Sequence, residues 1–170
     1  MEKRAGATPR SVSAMFNAIT HSGIYVLDQD EALDFYVGKL GFQVAQDVDL
    51  GFMRWLTISV PGQPEREILL ERPGPPALSD ETATEVKALL TKGAMGLAFI
   101  VTTDDCRKTY EELRAKGVEF TQEPTEQPYG IDCGLRDPFG NQIRITQPAA
   151  QPGEITDDVE ARWEQGAPRR

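Results

Sequence analysis

The chain has 170 residues, 39% of them hydrophobic, and a net charge of −9 at a pI near 4.7. That length suits one ordinary domain or two small modules sharing a core, and the acidity argues against nucleic acid and anionic membrane surfaces, which need a basic face. No apolar run approaches the roughly 20 residues of a membrane span, and MEKRAGATPRSVSA lacks the apolar core of a signal peptide, so a cytoplasmic protein is expected.

Residues 1–17 mix Gly, Pro, Ser and charges without periodicity and read as an N-terminal tail. Residues 18–73 read as a first module. AITHSGIYVL is β-branched and apolar, a strand, and runs into DQDEALDFYVGKLGF, where Asp28 and Glu31 have capping-box spacing. Ala32, Phe35, Tyr36 and Leu40 follow at helical spacing, with Gly41 as the stop. FQVAQDVDL, FMRWLTISV and REILLER read as three further strands. Residues 74–93 are a Pro-rich linker and a helix capped by Ser79 or Asp80.

The order then begins again over residues 94–148. GLAFIVTT is a strand, DDCRKTYEELRAKG a helix, VEFTQEP a strand, and GIDCGLRDPFGNQIRITQ a hairpin of two more. Gly41 and Gly117 end equivalent helices, and GFQV and GVEF open equivalent strands. Two copies of so long a unit do not make a solenoid; two βαβββ modules side by side would instead enclose a cup, an α+β architecture. Residues 149–170 form a C-terminal tail in which Ile155, Val159 and Trp163 have helix-compatible spacing. The two cysteines, Cys106 and Cys133, lack CxxC spacing and read as reduced structural thiols.

ITHSGIYVLDQDEALDFYVGKLGFQV in the first module, with GVEF and GLRDPFGNQIRIT in the second, resembles the vicinal oxygen chelate superfamily of glyoxalase I, bleomycin resistance proteins and extradiol dioxygenases. The resemblance covers about residues 18 to 148. It implies paired βαβββ modules forming a cup-shaped mixed sheet, a small-molecule ligand in the cup and a homodimer, but leaves the reaction open.

Metal-dependent relatives draw ligands from the first and last strand of each module. His21 falls at the first position and is the only histidine in the chain, which excludes the two-His-one-carboxylate site of extradiol iron enzymes. The second module offers Leu97 or Ala98, and neither binds metal. Glu67 and Glu71 share a face of the last strand of the first module, with the register open; Glu71 is the candidate ligand. The last position, a glutamate in glyoxalase I, is Arg144, whose guanidinium has no lone pair to donate. The ligand set is incomplete, so no cofactor is expected; a divalent metal on His21 and Glu71 with water or substrate is the alternative.

Alternation along the final strand sets Gln142, Arg144 and Thr146 opposite Ile143 and Ile145. Arg144 reads either as a clamp for a carboxylate, phosphate or enolate or as a rim arginine paired with Glu67, Glu71 or Asp132. His21 is either a base or donor in the cup or a half-buried structural imidazole. Tyr25 shares its face, and Trp55 is a stacking wall or a packing residue. Tyr129 sits in TEQPYGIDCG, read as a loop that closes over a ligand. These features suggest a binding protein that sequesters a neutral or anionic small molecule. The alternatives are a metal-dependent glyoxalase-like lyase or isomerase and a metal-free acid-base enzyme using His21 and Arg144.

Overall fold

The computed structural model describes residues 15–151. The expected helical spacing of Ile155, Val159 and Trp163 and most of both tails lie outside the described residues.

The first module runs β1 (His21–Tyr25), α1 (Gln29–Leu33), β2 (Gln43–Asp49), β3 (Arg54–Ser59) and β4 (Glu67–Glu71). Asp28 caps α1, its carboxylate accepting from the backbone N–H groups of Asp30 and Glu31 at 2.9 Å each, which satisfies two donors that the helix leaves free. The helix continues beyond Leu33 as a wider π-helical segment over Asp34–Lys39. Its i→i−5 bonding, seen in Leu40 N–H to Phe35 O at 3.0 Å, lets Phe35 and Tyr36 both face the core.

The linker carries α2 (Asp80–Thr91), with Ser79 as the cap accepting from Thr82 N–H. The second module repeats the first: β5 (Leu97–Thr102), α3 (Cys106–Ala115), β6 (Glu119–Gln127), β7 (Gly130–Arg136) and β8 (Gln142–Pro148). Each module forms its own four-stranded mixed sheet, ordered β1-β4-β3-β2 and β5-β8-β7-β6. In both, the first and last strands pair in parallel and the others antiparallel.

One apolar core joins the sheets. Val26, Leu56, Ile58 and Leu70 of the first module share it with Cys133, Leu135, Ile143 and Ile145 of the second. The polar bond at this junction comes from the two sequence signatures of the repeat, since Tyr36 Oη donates to Asp137 Oδ2 at 2.7 Å. The other carboxylate oxygen of Asp137 accepts from the N–H groups of Phe139, Gly140 and Asn141 at 3.0, 2.9 and 2.8 Å, and Asn141 Nδ2 donates to Tyr25 O at 2.8 Å. Burial, reinforced by the negative charge on Asp137, holds the Tyr36 phenol far above its ordinary pKa. Gly140 is required here because a Cβ would stand 1.9 Å from Leu90 O of α2.

The stretch TEQPYGIDCG differs from its expected form. It is not a loose closing loop but a tight hairpin, in which Gln127 pairs with Gly130 and Ala149 N–H donates to Tyr129 O at 2.9 Å. These ladder bonds extend β6 through Gln127 and leave only Pro128 and Tyr129 at the reversal. Among the described residues no helix is long and apolar enough to cross a membrane.

Candidate functional site

The sequence-named residues divide between the two sheets, His21, Tyr25, Trp55 and Glu71 on the first and Tyr129 and Arg144 on the second, and Tyr25 packs against the core. In the first module the parallel register sets His21 opposite Glu67 and Tyr25 opposite Glu71. Glu67, not Glu71, is therefore the carboxylate beside the histidine. His21 Nε2 lies 3.4 Å from Glu67 Oε2, and its Nδ1 is 2.9 Å from Thr20 Oγ1. The same Glu67 oxygen accepts from Thr57 Oγ1 at 2.5 Å and from Gln46 Nε2 at 2.8 Å. These bonds, that from Thr57 above all, hold the Glu67 carboxyl below the usual carboxylate range. Trp55 stands beside the pair, its ring 6.0 Å from the imidazole between centroids.

In the second module Arg144 meets an acid, one of the three partners weighed for it. Its Nε and Nη2 converge on Asp132 Oδ2 at 2.6 and 2.5 Å, and Nη2 also donates to Gln122 Oε1 at 2.9 Å. Tyr129 Oη donates to the same Asp132 oxygen at 3.2 Å, and burial together with that carboxylate raises the Tyr129 pKa. Asp132 is 1% exposed, whereas the Arg144 side chain is 31% exposed. Gly134 lies opposite Arg144 in the β7–β8 ladder; a Cβ there would stand 3.6 Å from Arg144 Nη1 and 2.9 Å from Thr121 Oγ1. The second of these distances is too short and the first is ordinary contact, so a side chain at Gly134 would crowd Thr121 of β6 while the guanidinium packs flat over the glycine.

Beneath this face Cys133 and Cys106 are buried free thiols with sulfurs 3.7 Å apart. Burial pushes the Cys133 thiol up to about 12, so it carries little thiolate at neutral pH and is a poor nucleophile.

The two polar clusters do not meet within one chain. Among the described residues no hydrogen bond or ion pair joins His21 or Glu67 to Arg144 or Asp132, and none of three cavities in the molecule is lined by both groups. A cavity of about 120 Å³ is lined by His21, Glu67, Arg66, Phe99 and Ile100. A larger cleft, about 660 Å³, lies elsewhere, between the Pro73–Ala77 segment, α2 and the start of β3; Glu71 lines it and His21 does not.

The donors present do not fit the divalent-metal site of metal-dependent relatives. At the four positions stand His21, Glu67, an apolar residue at the start of β5, and Arg144 engaged with Asp132. Among the described residues no group of three His, Cys, Asp or Glu side chains converges as a metal site would require. Asp132 enters the sequence reading only as a partner, and Gln122, Thr57 and Gln46 not as site residues at all. The alternation of GIDCGLR and FMRWLTISV carried the signal, but the cross-strand register was needed to use it.

Residues 18–145 match the Glyoxalase/Bleomycin resistance protein/Dioxygenase superfamily. The chain belongs to that family. Its relatives include the YurT protein of Bacillus subtilis (strain 168), 38% identical over 76% of this chain and 98% of that protein. A protein of Shewanella frigidimarina (strain NCIMB 400) is 33% identical over 78% and 95% of the two chains. Among solved structures, UcmS2 is 39% identical, with a TM-score of 0.75 over 78% of this chain and 99% of that one. TnmS3, an antibiotic binding protein from Streptomyces sp. CB03234, is 26% identical, with a TM-score of 0.63 over 80% of this chain and 99% of that chain. In this chain the first and last strands of each module pair in parallel, and among the described residues the side chains on them do not make up a metal-binding set.

Proposed function

We propose that this protein binds and holds a small organic molecule against the polar faces of its sheets, without a metal-dependent reaction. The observation that carries the reading is Arg144, which occupies the place of a ligating carboxylate and is tied to buried Asp132. A cation there repels a divalent ion, and its engaged donors make a fixed polar wall suited to recognition. A family relative that binds an antibiotic supports the same reading. The alternative lyase or isomerase on His21 and Glu71 loses ground because the register pairs His21 with Glu67. An acid-base mechanism joining His21 to Arg144 finds no contact between them in one chain.

Homodimerisation belongs to this proposal. Val44, Val48, Leu50 and Phe52 along the β2 edge, and Leu97 and Ile100 on edge strand β5, are exposed apolar side chains. Edges of this kind invite pairing with another chain, and a second copy would set the first-module face of one chain near the second-module face of the other. Cytoplasmic residence remains part of the proposal and accords with the reduced thiols.

The test is metal content of the purified protein, followed by thermal-shift and calorimetric screening with flat aromatic molecules and with Ni, Zn, Co, Mn and Fe(II). The expected result is no stoichiometric metal and stabilisation by an organic ligand, lost in Trp55→Ala. Stoichiometric metal that disappears in His21→Ala would overturn the binding-only reading. Sedimentation velocity checks the dimer.

A further inference from the structure

We infer that a cavity where the two modules abut is a second binding site, for a small molecule with an apolar body and a single carboxylate. It lies apart from the polar faces of the function proposed above and does not depend on that reading.

The cavity, about 390 Å³, has the size of a small-molecule site and lies between packed units, where such sites are common. Its floor is the core side of the second sheet. Ile143 and Ile145 line it, and because side chains alternate along a strand, Arg144 between them belongs to the opposite face. Thr109 and Leu113 line it from α3, four residues apart and so on one face of that helix. Phe42 and Val60 close it from the first module. Of the exposed apolar side chains on the sheet edges, only Ile100 also lines this cavity, so a dimer formed on those edges meets the site at one residue.

The charge on the lining selects the ligand. Arg66 is the one charged side chain there; the others are apolar, apart from Gln63 and the hydroxyls of Thr102, Thr103 and Thr109. Thr103 and Thr109 serve each other, their Oγ1 atoms 2.8 Å apart. Arg66 is exposed, and among the described residues its guanidinium has no hydrogen-bond or ion-pair partner. Its neighbour Glu67 lines the 120 Å³ cavity and not this one, and that carboxylate is engaged by Thr57, Gln46 and His21. Glu65 lines neither cavity. An unpaired guanidinium beside an apolar gap offers a planar fork of donors to one carboxylate, and each methylene buried in the gap tightens binding about fourfold. A dianion finds no second cation on this lining. The net charge of −9 opposes anions from a distance, but salt screens it beyond roughly 8–10 Å, so the lining charge governs.

The experiment is isothermal titration calorimetry of the full chain at neutral pH with hexanoate, heptanoate, octanoate and octanamide. Octanoate is expected to bind about fivefold or more tightly than octanamide, since a hydrogen bond to a charged group exceeds one to a neutral group. Affinity should rise about fourfold per methylene from hexanoate to octanoate. Arg66→Gln should remove the preference for octanoate and leave octanamide binding as it was. Thr102→Phe, which places a larger side chain at the cavity from the end of β5, should weaken both probes. Trp55 does not line this cavity, so Trp55→Ala should leave octanoate binding unchanged. The site is overturned by absent octanoate binding, by equal affinities for octanoate and octanamide, or by a preference that survives Arg66→Gln. Octanoate binding lost in Trp55→Ala also overturns it, because the probe then sits on the polar face and supports the proposed function instead.

Discussion

The two modules share one topology but pair their polar residues differently. In the first, the charged partner lies directly across the parallel β1–β4 ladder, and His21 and Glu67 form a pair whose side chains are 40% and 15% exposed. In the second, the strand equivalent to β1 is apolar, with Ile100 opposite Arg144, so the arginine turns to the other neighbour and reaches Asp132 across Gly134. The wetter pair is adjustable and contributes little to stability. The drier one rests on a buried carboxylate, so its two partners depend on each other. A repeated fold thus carries one loosely held half-site and one rigid half-site.

The largest expected effect falls on the rigid half. Arg144→Met strands the Asp132 carboxylate and should cost on the order of 3–5 kcal/mol in chemical denaturation. Adding Asp132→Asn to that variant should recover part of the loss, and strictly additive losses would show that the two residues are not coupled. On the looser half, Glu67→Gln should cost less than about 1 kcal/mol, because the imidazole is exposed and the amide keeps an acceptor for Thr57. A loss as large as that of Arg144→Met would erase the contrast between the modules.

The smallest effect is in pH. The folded-state pKa of Glu67 is depressed below its ordinary value of 4.5, so its contribution is fully present above that value and is lost as pH falls through the folded-state pKa. Thr57→Val removes the main cause of the depression. Stability measured from neutral pH downward should therefore fall less steeply below pH 4.5 in this variant than in the unsubstituted protein. Parallel curves would assign the acid sensitivity to other carboxylates.

Much of the fold was legible because it rests on local chemistry. Asp28 caps, the Phe35 and Tyr36 spacing, and the DPFGN reversal are short-range patterns whose geometry follows from backbone sterics and hydrogen bonding. The π-helical widening after Leu33 was not legible, since core packing of both Phe35 and Tyr36 overrides the ordinary helical repeat. The hairpin at Tyr129 read as a loop because Pro and Gly mark reversals without giving their length. At the site, alternation put Tyr25 on the face of His21 and Arg144 on the polar face of its own strand, while the contact of Trp55 with His21 came from the cross-strand pairing.

The sequence by itself determined the repeated order of elements, the family, and the presence of an arginine where a metal-binding carboxylate would stand. Only the tertiary structure decided which acid each charged residue meets. A strand exposes its side-chain period but not its register, and a shift of two residues keeps every face while changing every partner. For that reason Glu67 rather than Glu71 lies beside His21, and Asp132, a residue on the adjacent strand, takes the charge of Arg144.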